Sequence, residues 1–389
     1  MKTRQLRYGE PMRILLVANY EPDGQESMKL YAAWLERTLK ARGHEVTVAR
    51  PKAFFSRLAW NFKLKKYSGY LDKFLLFPPR LRRLARACEL VHVLDHSNSM
   101  YLRALRQKPN LITCHDVLAI RAARGEFPQI SIAWPGRLLQ RWILSGLRGA
   151  RHVLCVSGKT AQDLKALIEN SREDAGKNSP ELRTVHSPLN WGYRPGAALP
   201  EGLASRLGMR PGERYFLHVG GNQWYKNRAG VLRIFARLAQ MDEFSSARLV
   251  MAGKALTGEL RAVIAEERLE DRVIEVVDAT NQELQALYGN ALALLFPSFE
   301  EGFGWPILEA QACGCPVIAS RRSPMTEVAG EAAILIDPAE PQSAAAAIAA
   351  GLKGREELRA AGFKNLKRFD VEAIADQYCA FYDAILVHC

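Results

Sequence analysis

Short apolar segments alternate with longer segments of helical periodicity along the whole chain. A first helix-like segment lies around Leu30 to Arg42, and another begins at about Arg228. This alternation is typical of βαβ units, and it predicts parallel sheets with helices on both faces and strands that are apolar throughout. The predicted strands are Arg13–Asn19, Glu45–Ala49, Glu89–Leu94, Leu111–Cys114, His152–Val156, Arg183–His186, Tyr215–Val219, Ala247–Ala252, Val273–Val277, Leu292–Phe296, Pro316–Ala319 and Ala333–Ile336.

The pattern restarts after a loop-like stretch rich in Pro and Gly, residues 188–200. A chain of 389 residues with 48% hydrophobic composition also fits two domains better than one. We therefore predict two α/β domains, residues 1–190 and 191–372, each with a doubly wound parallel sheet. The segment 373–389 is apolar at helical spacing, and we expect it to pack back on the first domain. Such sheets bind ligands at the carboxyl ends of their strands, so the site is expected at a central cleft that both domains face.

Positive charge is concentrated in the first half of the chain. The net charge is +13, but residues 1–190 carry 33 Lys and Arg against 16 Asp and Glu, whereas the remainder carries 21 against 25. This asymmetry indicates an anionic partner for the first half: lipid headgroups, a phosphorylated acceptor or nucleic acid. No recognised nucleic-acid module accompanies the basic residues, so we do not expect nucleic acid as a partner.

Residues 53–87 interleave aromatic and basic side chains, and two interpretations stay open. One is an interfacial surface that binds an anionic membrane. The other is a pair of helices of the first domain with a solvated basic face. The residues concerned are Phe54, Phe55, Trp60, Phe62, Tyr67, Tyr70 and Phe74, with Lys63, Lys65, Lys66, Lys73, Arg80, Arg82, Arg83 and Arg86.

Neither a membrane span nor a metal centre is expected. The first apolar run, Ile14 to Ala18, is too short for a signal peptide or a span, so we expect a cytoplasmic protein, located at the inner face of the cell membrane if the membrane interpretation holds. The seven cysteines are scattered, and no histidine or cysteine pair completes a tetrahedral set with Cys313 and Cys315.

The most informative stretch is Phe296 to Ser320, a strand followed by a glycine-bearing loop, a helix and another strand. Gly302 and Gly304 allow a ligand to approach the backbone closely, and the free N–H groups of a helix start favour an anion. Glu301 lies in the loop, and Glu309 falls early in the helix on its apolar side. The two carboxylates are therefore expected to face one pocket.

These residues resemble the motif of retaining GT-B glycosyltransferases of family 4, in which two glutamates are separated by seven residues. The surrounding Pro-Ser-x-x-Glu-Gly-Phe-Gly, with Phe303 as its aromatic residue, strengthens the resemblance, which extends over most of the chain. The resemblance implies that Glu301 lies against the transferred sugar and that Glu309 accepts hydrogen bonds from the ribose hydroxyls. It also implies the GT-B fold of two Rossmann-like domains.

A second candidate segment runs from His218 to Arg228, where a strand ends in Gly220 and Gly221 and a lysine follows. The family usually presents an arginine and a lysine here, five residues apart. Lys226 matches the lysine and is expected to hold the diphosphate, whereas Gly221 occupies the position of the arginine. Arg228 is a hypothetical source of the missing charge, and the backbone N–H groups of the glycine pair are another.

Candidates in the first domain also follow strands. His115 and Asp116 directly follow the predicted strand Leu111–Cys114, and the family carries a similar histidine that contacts the donor sugar. Asp95 and His96 follow the strand before it and are candidates for contact with the acceptor. Gly24 is the one glycine that remains where the relatives often have a paired-glycine loop.

The resemblance implies an enzyme that moves a sugar from a nucleotide-diphosphate sugar to a glycan or lipid-linked acceptor with retention. No Asp is followed two residues later by another Asp, so the metal-binding motif of the other main glycosyltransferase fold is absent. We expect neither a metal nor another cofactor. The alternative is a catalytically weak scaffold subunit of GT-B shape that binds a nucleotide sugar, and Gly221 is the reason to consider it.

Overall fold

A computed structural model describes residues 10–58, 62–169, 179–189, 191–209 and 213–387, with residues 58 and 62–66 described through their backbone. Contacts divide the chain into two compact units. The first unit comprises Met1–Asn190 and Val371–Cys389, and the second comprises Trp191–Asp370.

Each unit is built on one six-stranded parallel sheet. The strands are β1 (Arg13–Val17), β2 (Glu45–Ala49), β3 (Leu90–Val93), β4 (Asn110–Cys114), β5 (His152–Cys155), β6 (Glu181–Thr184), β7 (Tyr215–Gly220), β8 (Arg248–Gly253), β9 (Val273–Val277), β10 (Ala293–Phe296), β11 (Val317–Ser320) and β12 (Ile334–Ile336). The strand orders are β2-β1-β3-β4-β5-β6 and β12-β11-β10-β7-β8-β9. The predicted α/β class with two doubly wound parallel sheets is confirmed.

Helices connect the strands. They are α1 (Glu26–Ala41), α2 (Phe55–Leu58), α3 (Phe62–Leu71), α4 (Phe77–Arg86), α5 (Leu118–Ala123), α6 (Trp134–Arg148), α7 (Gly158–Glu169), α8 (Glu201–Leu207), α9 (Arg228–Leu238), α10 (Gly258–Glu266), α11 (Asn281–Asn290), α12 (Trp305–Ala312), α13 (Met325–Ala329), α14 (Pro341–Gly351), α15 (Arg355–Leu366) and α16 (Val371–Val387). A π-helical turn, Asp72–Leu76, joins α3 to α4, and 3-10 segments occur at His96–Leu105 and Trp224–Lys226. Within the described ranges, no helix is long and apolar enough to cross a bilayer.

The prediction that the strands are apolar throughout is wrong at the edges of the first sheet. In β2, Glu45 and Thr47 are exposed, and in β6 Glu181 and Thr184 are exposed. These strands have a neighbour on one side only, so less of their surface is covered. The inner strands β3 and β4 are buried at every position, as predicted.

The final helix, α16, lies against the first unit through a buried polar network. The Tyr378 hydroxyl is 2.8 Å from that of Tyr31 on α1, and the Tyr382 hydroxyl is 2.7 Å from Nδ1 of His92 on β3. His92 Nε2 lies 2.7 Å from the Thr113 hydroxyl on β4. The network therefore ties the last helix to two central strands.

Candidate functional site

The candidate site lies at the switch point of the second sheet, where β7 and β10 are neighbours and the chain winds in opposite directions from them. Ligands of open α/β sheets bind at the carboxyl ends of the strands beside such a point. The backbone is tightly packed there: a Cβ atom at Gly253, which ends β8 with φ of 135°, would lie 2.1 Å from the carbonyl oxygen of Gly220. The close approach of these two strand ends therefore requires glycine.

Lys226 and Glu301 form an ion pair at this point. Lys226 Nζ lies 2.7 Å from Glu301 Oε1 and 2.9 Å from Oε2, and only 8% of the Glu301 side chain is exposed. The loop after β10 is held to the turn that carries the lysine, because the Phe299 N–H donates to the Tyr225 carbonyl oxygen at 2.7 Å. Residues 75 positions apart thus meet because their strands are adjacent.

Glu309 lies in α12, which begins after Gly304, a residue with φ of 107°. Its carboxylate is buried and accepts a 2.8 Å hydrogen bond from the Tyr288 hydroxyl. Burial raises the pKa of Glu309 to about 7, although the Tyr288 hydrogen bond and the positive charge of Lys226 both oppose the shift. A hydrogen-bond donor from a ligand would stabilise the charged form.

The loop between the two glutamates is anchored by an aromatic side chain. Phe303 is buried, and its ring centroid lies 6.0 Å from that of Trp305 and 5.9 Å from that of Phe369. The loop that contains Gly302 and Gly304 is thereby fixed to the start of α12. Phe303 supports the loop through these contacts.

Arg228, the first residue of α9, is buried beside the same loops. Its Nη1 donates to the Asn222 side chain and, at 2.8 Å, to the Lys254 carbonyl oxygen, whereas Nε and Nη2 have no hydrogen-bond partner among the described residues. Burial lowers the pKa of Arg228, and the negative charge of Glu275 opposes the shift. Arg228 links the loops that follow β7 and β8. Gly221 has room for a side chain apart from the flexible end of Gln223, whose Oε1 would lie 2.5 Å from a Cβ.

Two residues of this region were not among the predicted site residues. His218 on β7 donates from Nδ1 to the Leu295 carbonyl oxygen at 2.9 Å, and burial is the main cause that lowers its pKa to about 3. Asn227 has φ of 52° and donates to the carbonyl oxygens of Pro297 and Pro338, both at 3.0 Å. A histidine inside an apolar strand is a visible signal in the sequence, whereas Asn227 is recognisable only as a helix cap.

In the first unit, Asp95 lies at the switch point between β1 and β3. Its Oδ1 accepts from the Ser97 N–H at 2.7 Å, and its Oδ2 accepts from the Asn19 amide at 2.6 Å. His96 Nδ1 is 3.4 Å from the same carboxylate. Burial alone would raise the pKa of Asp95, but the nearby His96 and His115 and these donors lower it.

The remaining first-unit candidates have local structural partners. His115 Nε2 donates to the Leu94 carbonyl oxygen at 2.8 Å, and burial lowers its pKa, so the ring is neutral at pH 7. Asp116 accepts from the Leu118 N–H at 3.0 Å at the start of α5. Gly24 ends a short 3-10 turn with φ of 66°. The structure therefore places Asp95, His96 and His115 together, whereas Gly24 belongs to a different turn.

Comparison with solved structures identifies the fold. Sucrose-phosphate synthase from Thermosynechococcus elongatus superposes with a TM-score of 0.74 at 20% identity, covering 97% of this chain and 100% of that one. HepE from Anabaena, solved in complex with UDP and glucose, gives a TM-score of 0.66 at 19% identity, covering 95% and 99%. The fold is that of the GT-B glycosyltransferases.

Sequence comparison gives the family. The family model for group 1 glycosyl transferases matches residues 203–368, and that for glycosyltransferase family 4 matches residues 30–174. D-inositol 3-phosphate glycosyltransferase from Corynebacterium glutamicum (strain R) is 30% identical over 296 residues, 73% of this chain and 69% of that protein. The chain therefore belongs to glycosyltransferase family 4.

Other relatives match over shorter stretches. O-antigen chain mannosyltransferase B from Escherichia coli is 30% identical over 168 residues, 42% of this chain and 44% of the relative. O-antigen chain mannosyltransferase RfbU from Salmonella typhimurium is 31% identical over 137 residues, 35% of this chain and 38% of the relative. The matched part of the chain thus spans less than half of these two relatives.

Proposed function

We propose that the protein transfers a sugar from a nucleotide-diphosphate sugar to an acceptor hydroxyl, with retention of anomeric configuration and without a metal ion. The observation that carries this proposal is the Lys226–Glu301 pair at the switch point of the second sheet, with buried Glu309 nearby. A cation at this place is suited to a diphosphate, and a carboxylate is suited to ribose hydroxyls.

In the proposed reaction, the bond from the anomeric carbon to the diphosphate oxygen breaks through an oxocarbenium-like state. The acceptor oxygen attacks the same face, and its proton passes to the leaving phosphate oxygen. Lys226 and the start of α12 offset the negative charge that develops on the leaving group. Glu301 faces the transferred sugar in this scheme, and Glu309 binds the ribose. No protein nucleophile is assigned.

Two first-unit residues have proposed roles, His115 from the family resemblance and Asp95 from its position after a strand. His115, with its proton on Nε2 held by the Leu94 carbonyl oxygen, contacts the donor sugar as a neutral ring. Asp95 remains charged because its pKa is lowered, and it is the proposed contact for an acceptor hydroxyl.

We propose a glycan or lipid-linked acceptor and a role in polysaccharide biosynthesis at the inner face of the cell membrane. The names of the O-antigen mannosyltransferases among the relatives support this choice. The excess of basic residues in 1–190 supports an anionic membrane as partner, with residues 53–87 as the first candidate surface. Trp60 lies outside the described residues, as do the side chains of residues 62–66.

The test is thermal unfolding with a panel of nucleotide diphosphates and sugar nucleotides in the presence of EDTA. A ligand at a hundred times its dissociation constant stabilises the folded state by about 2.7 kcal/mol. Lys226→Gln should abolish the shift, and Lys353→Gln, an exposed lysine of the same unit, should retain it. If no nucleotide shifts the wild-type transition, the proposed donor site is wrong.

Turnover separates the enzyme from the scaffold alternative. With the donor identified by the thermal shift, release of the nucleotide diphosphate is followed in the presence of a lipid-linked glycan acceptor. Transfer that is lost in Glu301→Gln supports the enzyme. Donor binding without transfer to any acceptor would favour the scaffold subunit. An α-linked product from an α-linked donor would establish retention.

A further inference from the structure

Most of the exposed large apolar side chains belong to the first unit. Trp134 at the start of α6 is 71% exposed, and Leu75 in the π-helical turn is 62% exposed. Of the ten such side chains among the described residues, seven lie between residues 54 and 138. They are Phe54, Tyr67, Leu71, Leu75, Leu76, Trp134 and Leu138. A concentration of this kind indicates a binding surface.

Ring contacts join α3 and the π-helical turn to α6. Tyr67 and Tyr70 have centroids 6.3 Å apart, Tyr70 stacks on Phe74 at 5.6 Å, and Phe74 contacts Trp142 of α6 at 4.8 Å. These contacts place the ring chain of α3 and the π-helical turn against Trp142 of α6. We group the exposed apolar side chains of these neighbouring elements as the α3/α6 surface, formed by Tyr67, Leu71, Leu75, Trp134 and Leu138.

The exposed side of α6 carries both apolar and basic side chains, which is the composition expected at a membrane interface. At 100° per residue, Trp134, Leu138 and Ser145 lie on one face, with Arg137 and Arg141 on the same side. The opposite face packs into the core through Ile143 and Leu147, and buried Leu144 lies at the boundary next to Arg137. Trp and Leu flanked by arginine on the solvent side are typical of a helix that lies in the interface of a bilayer.

A basic pocket lies on the same side of α6, about 10 Å along the helix axis from Leu138. It encloses about 70 Å³ and has buried Met100 and Leu102 in its wall. Arg103 and Arg106 line it and are exposed, and neither forms an ion pair within the part of the chain that the structure describes. The other lining residues are Trp142, Ser145, Gly146 and Gly149.

Further basic residues border the α3/α6 surface. The helix that contains Leu71 and Leu75 continues into α4, which carries exposed Arg80, Arg82, Arg83 and Arg86. The same half of the chain contains the whole excess of positive charge. Apolar side chains with a basic border complement an anionic bilayer, which offers acyl chains beneath a layer of phosphates.

We propose that the α3/α6 surface docks the protein on anionic phospholipid, with one lipid phosphate held in the pocket between Arg103 and Arg106. Trp134, Leu138 and Leu75 enter the boundary between headgroups and acyl chains. The two arginines contact a phosphate at headgroup depth, because they lie on the same side of α6. The inference extends the proposed function by naming the membrane site, and it does not depend on the donor site.

The test is co-sedimentation of the full chain with vesicles. Wild type should pellet with equimolar phosphatidylcholine and phosphatidylglycerol and should remain in solution with phosphatidylcholine alone. Trp134→Ala with Leu138→Ser should weaken the partition coefficient at least about tenfold, and Arg103→Gln with Arg106→Gln by about tenfold. The matched control is Arg37→Gln with Lys40→Gln on exposed positions of α1, a helix that packs against α16.

Three outcomes would overturn the proposal. The wild type fails to pellet with the anionic vesicles, or the α1 control loses as much vesicle binding as the surface variants. The third outcome is a thermal shift with glycerol phosphate for a protein that does not bind vesicles. A dimer that Trp134→Ala dissociates would instead identify the surface as a subunit interface. Every variant should keep the nucleotide-induced thermal shift, so failure of this proposal and failure of the donor site are distinguishable.

Discussion

Replacing Glu309 by glutamine removes a charge from a buried position while keeping a side chain of nearly the same shape. The glutamine Oε1 can still accept the hydrogen bond from Tyr288 that the carboxylate accepts at 2.8 Å. The substitution therefore isolates the effect of the charge. We expect it to stabilise the free protein at alkaline pH and to abolish nucleotide binding.

The size of the effect follows from the pKa of Glu309, which burial raises from 4.5 to about 7. The unfolded chain releases this proton near pH 4.5, whereas the folded protein retains it up to about pH 7. Because the folded state holds more protons between these values, stability falls as the pH rises through this window. Above pH 7 the buried charge costs at most about 3 kcal/mol.

Thermal or urea unfolding of wild type and Glu309→Gln at pH 5 and pH 8 measures this cost. The free energies of unfolding of the two proteins should be similar at pH 5. At pH 8 the variant should be more stable by about 1–3 kcal/mol, the range that the pKa shift allows. Glu331→Gln, an exposed carboxylate of the same unit, should show no such difference. Isothermal titration with the donor nucleotide should show that the gain in stability accompanies a loss of affinity.

Two results would refute this reasoning. If Glu309→Gln is less stable than wild type at pH 8, the folded protein stabilises the charged carboxylate more than the single hydrogen bond from Tyr288 can explain. If the variant binds nucleotide as tightly as wild type, Glu309 does not accept ribose hydroxyls. The first result concerns the electrostatics of the folded protein, and the second concerns the proposed function, so the two are separable.

Two other substitutions test particular contacts. Gly221→Arg should strengthen nucleotide-diphosphate binding by about 1 kcal/mol, because only the flexible end of Gln223 obstructs a side chain there. Titration calorimetry measures the change, with Gly221→Gln as the neutral control. Unchanged or weaker binding would show that a second cation at this position does not help to bind the diphosphate. Tyr382→Phe should lower the free energy of unfolding by about 1–3 kcal/mol, because it removes the 2.7 Å partner of buried His92, whereas exposed Tyr67→Phe should have no effect in the same denaturation assay.

Most strands could be predicted from the sequence because they are short, mainly apolar segments with polar or glycine residues at their ends. β2 and β9 have the predicted bounds, Glu45–Ala49 and Val273–Val277. β6 begins two residues before the prediction, since its register is set by pairing of Glu181 with His152 of β5. Pairing with a neighbouring strand is a tertiary interaction, and the local pattern of apolar residues does not predict it.

Buried polar residues in the first unit show where prediction from the sequence stops. Asp72 is 1% exposed and accepts backbone hydrogen bonds from Phe54, Phe55 and Ser56, together with one from the Tyr20 hydroxyl. Burial alone would raise the pKa of Asp72, but these donors lower it. In the sequence, Asp72 is a polar residue in a basic segment, and nothing nearby indicates that it organises the start of α2.

Arg228 illustrates a similar difficulty at the candidate site. Its position two residues after Lys226 made it a natural substitute for the arginine missing at Gly221. The structure instead buries the guanidinium and directs Nη1 to Asn222 and the Lys254 carbonyl oxygen. Spacing along the chain identifies which residues are near a strand end, but the direction of a side chain depends on the loops packed around it.

At the candidate site, local sequence patterns identify the residues, whereas contacts distant in sequence determine their chemical state. Glu301, Glu309 and Lys226 were identifiable because each follows a strand in a loop or helix of recognisable composition. Their chemical state depends on partners far away in sequence: Lys226 neutralises Glu301 because β7 and β10 are adjacent, and Tyr288 and the surrounding core set the pKa of Glu309. A diphosphate that binds Lys226 must therefore compete with Glu301 for the same ammonium group. The ion pair holds the lysine in place in the free protein. In the proposed function, binding of the donor breaks this pair and leaves the Glu301 charge unpaired beside the transferred sugar.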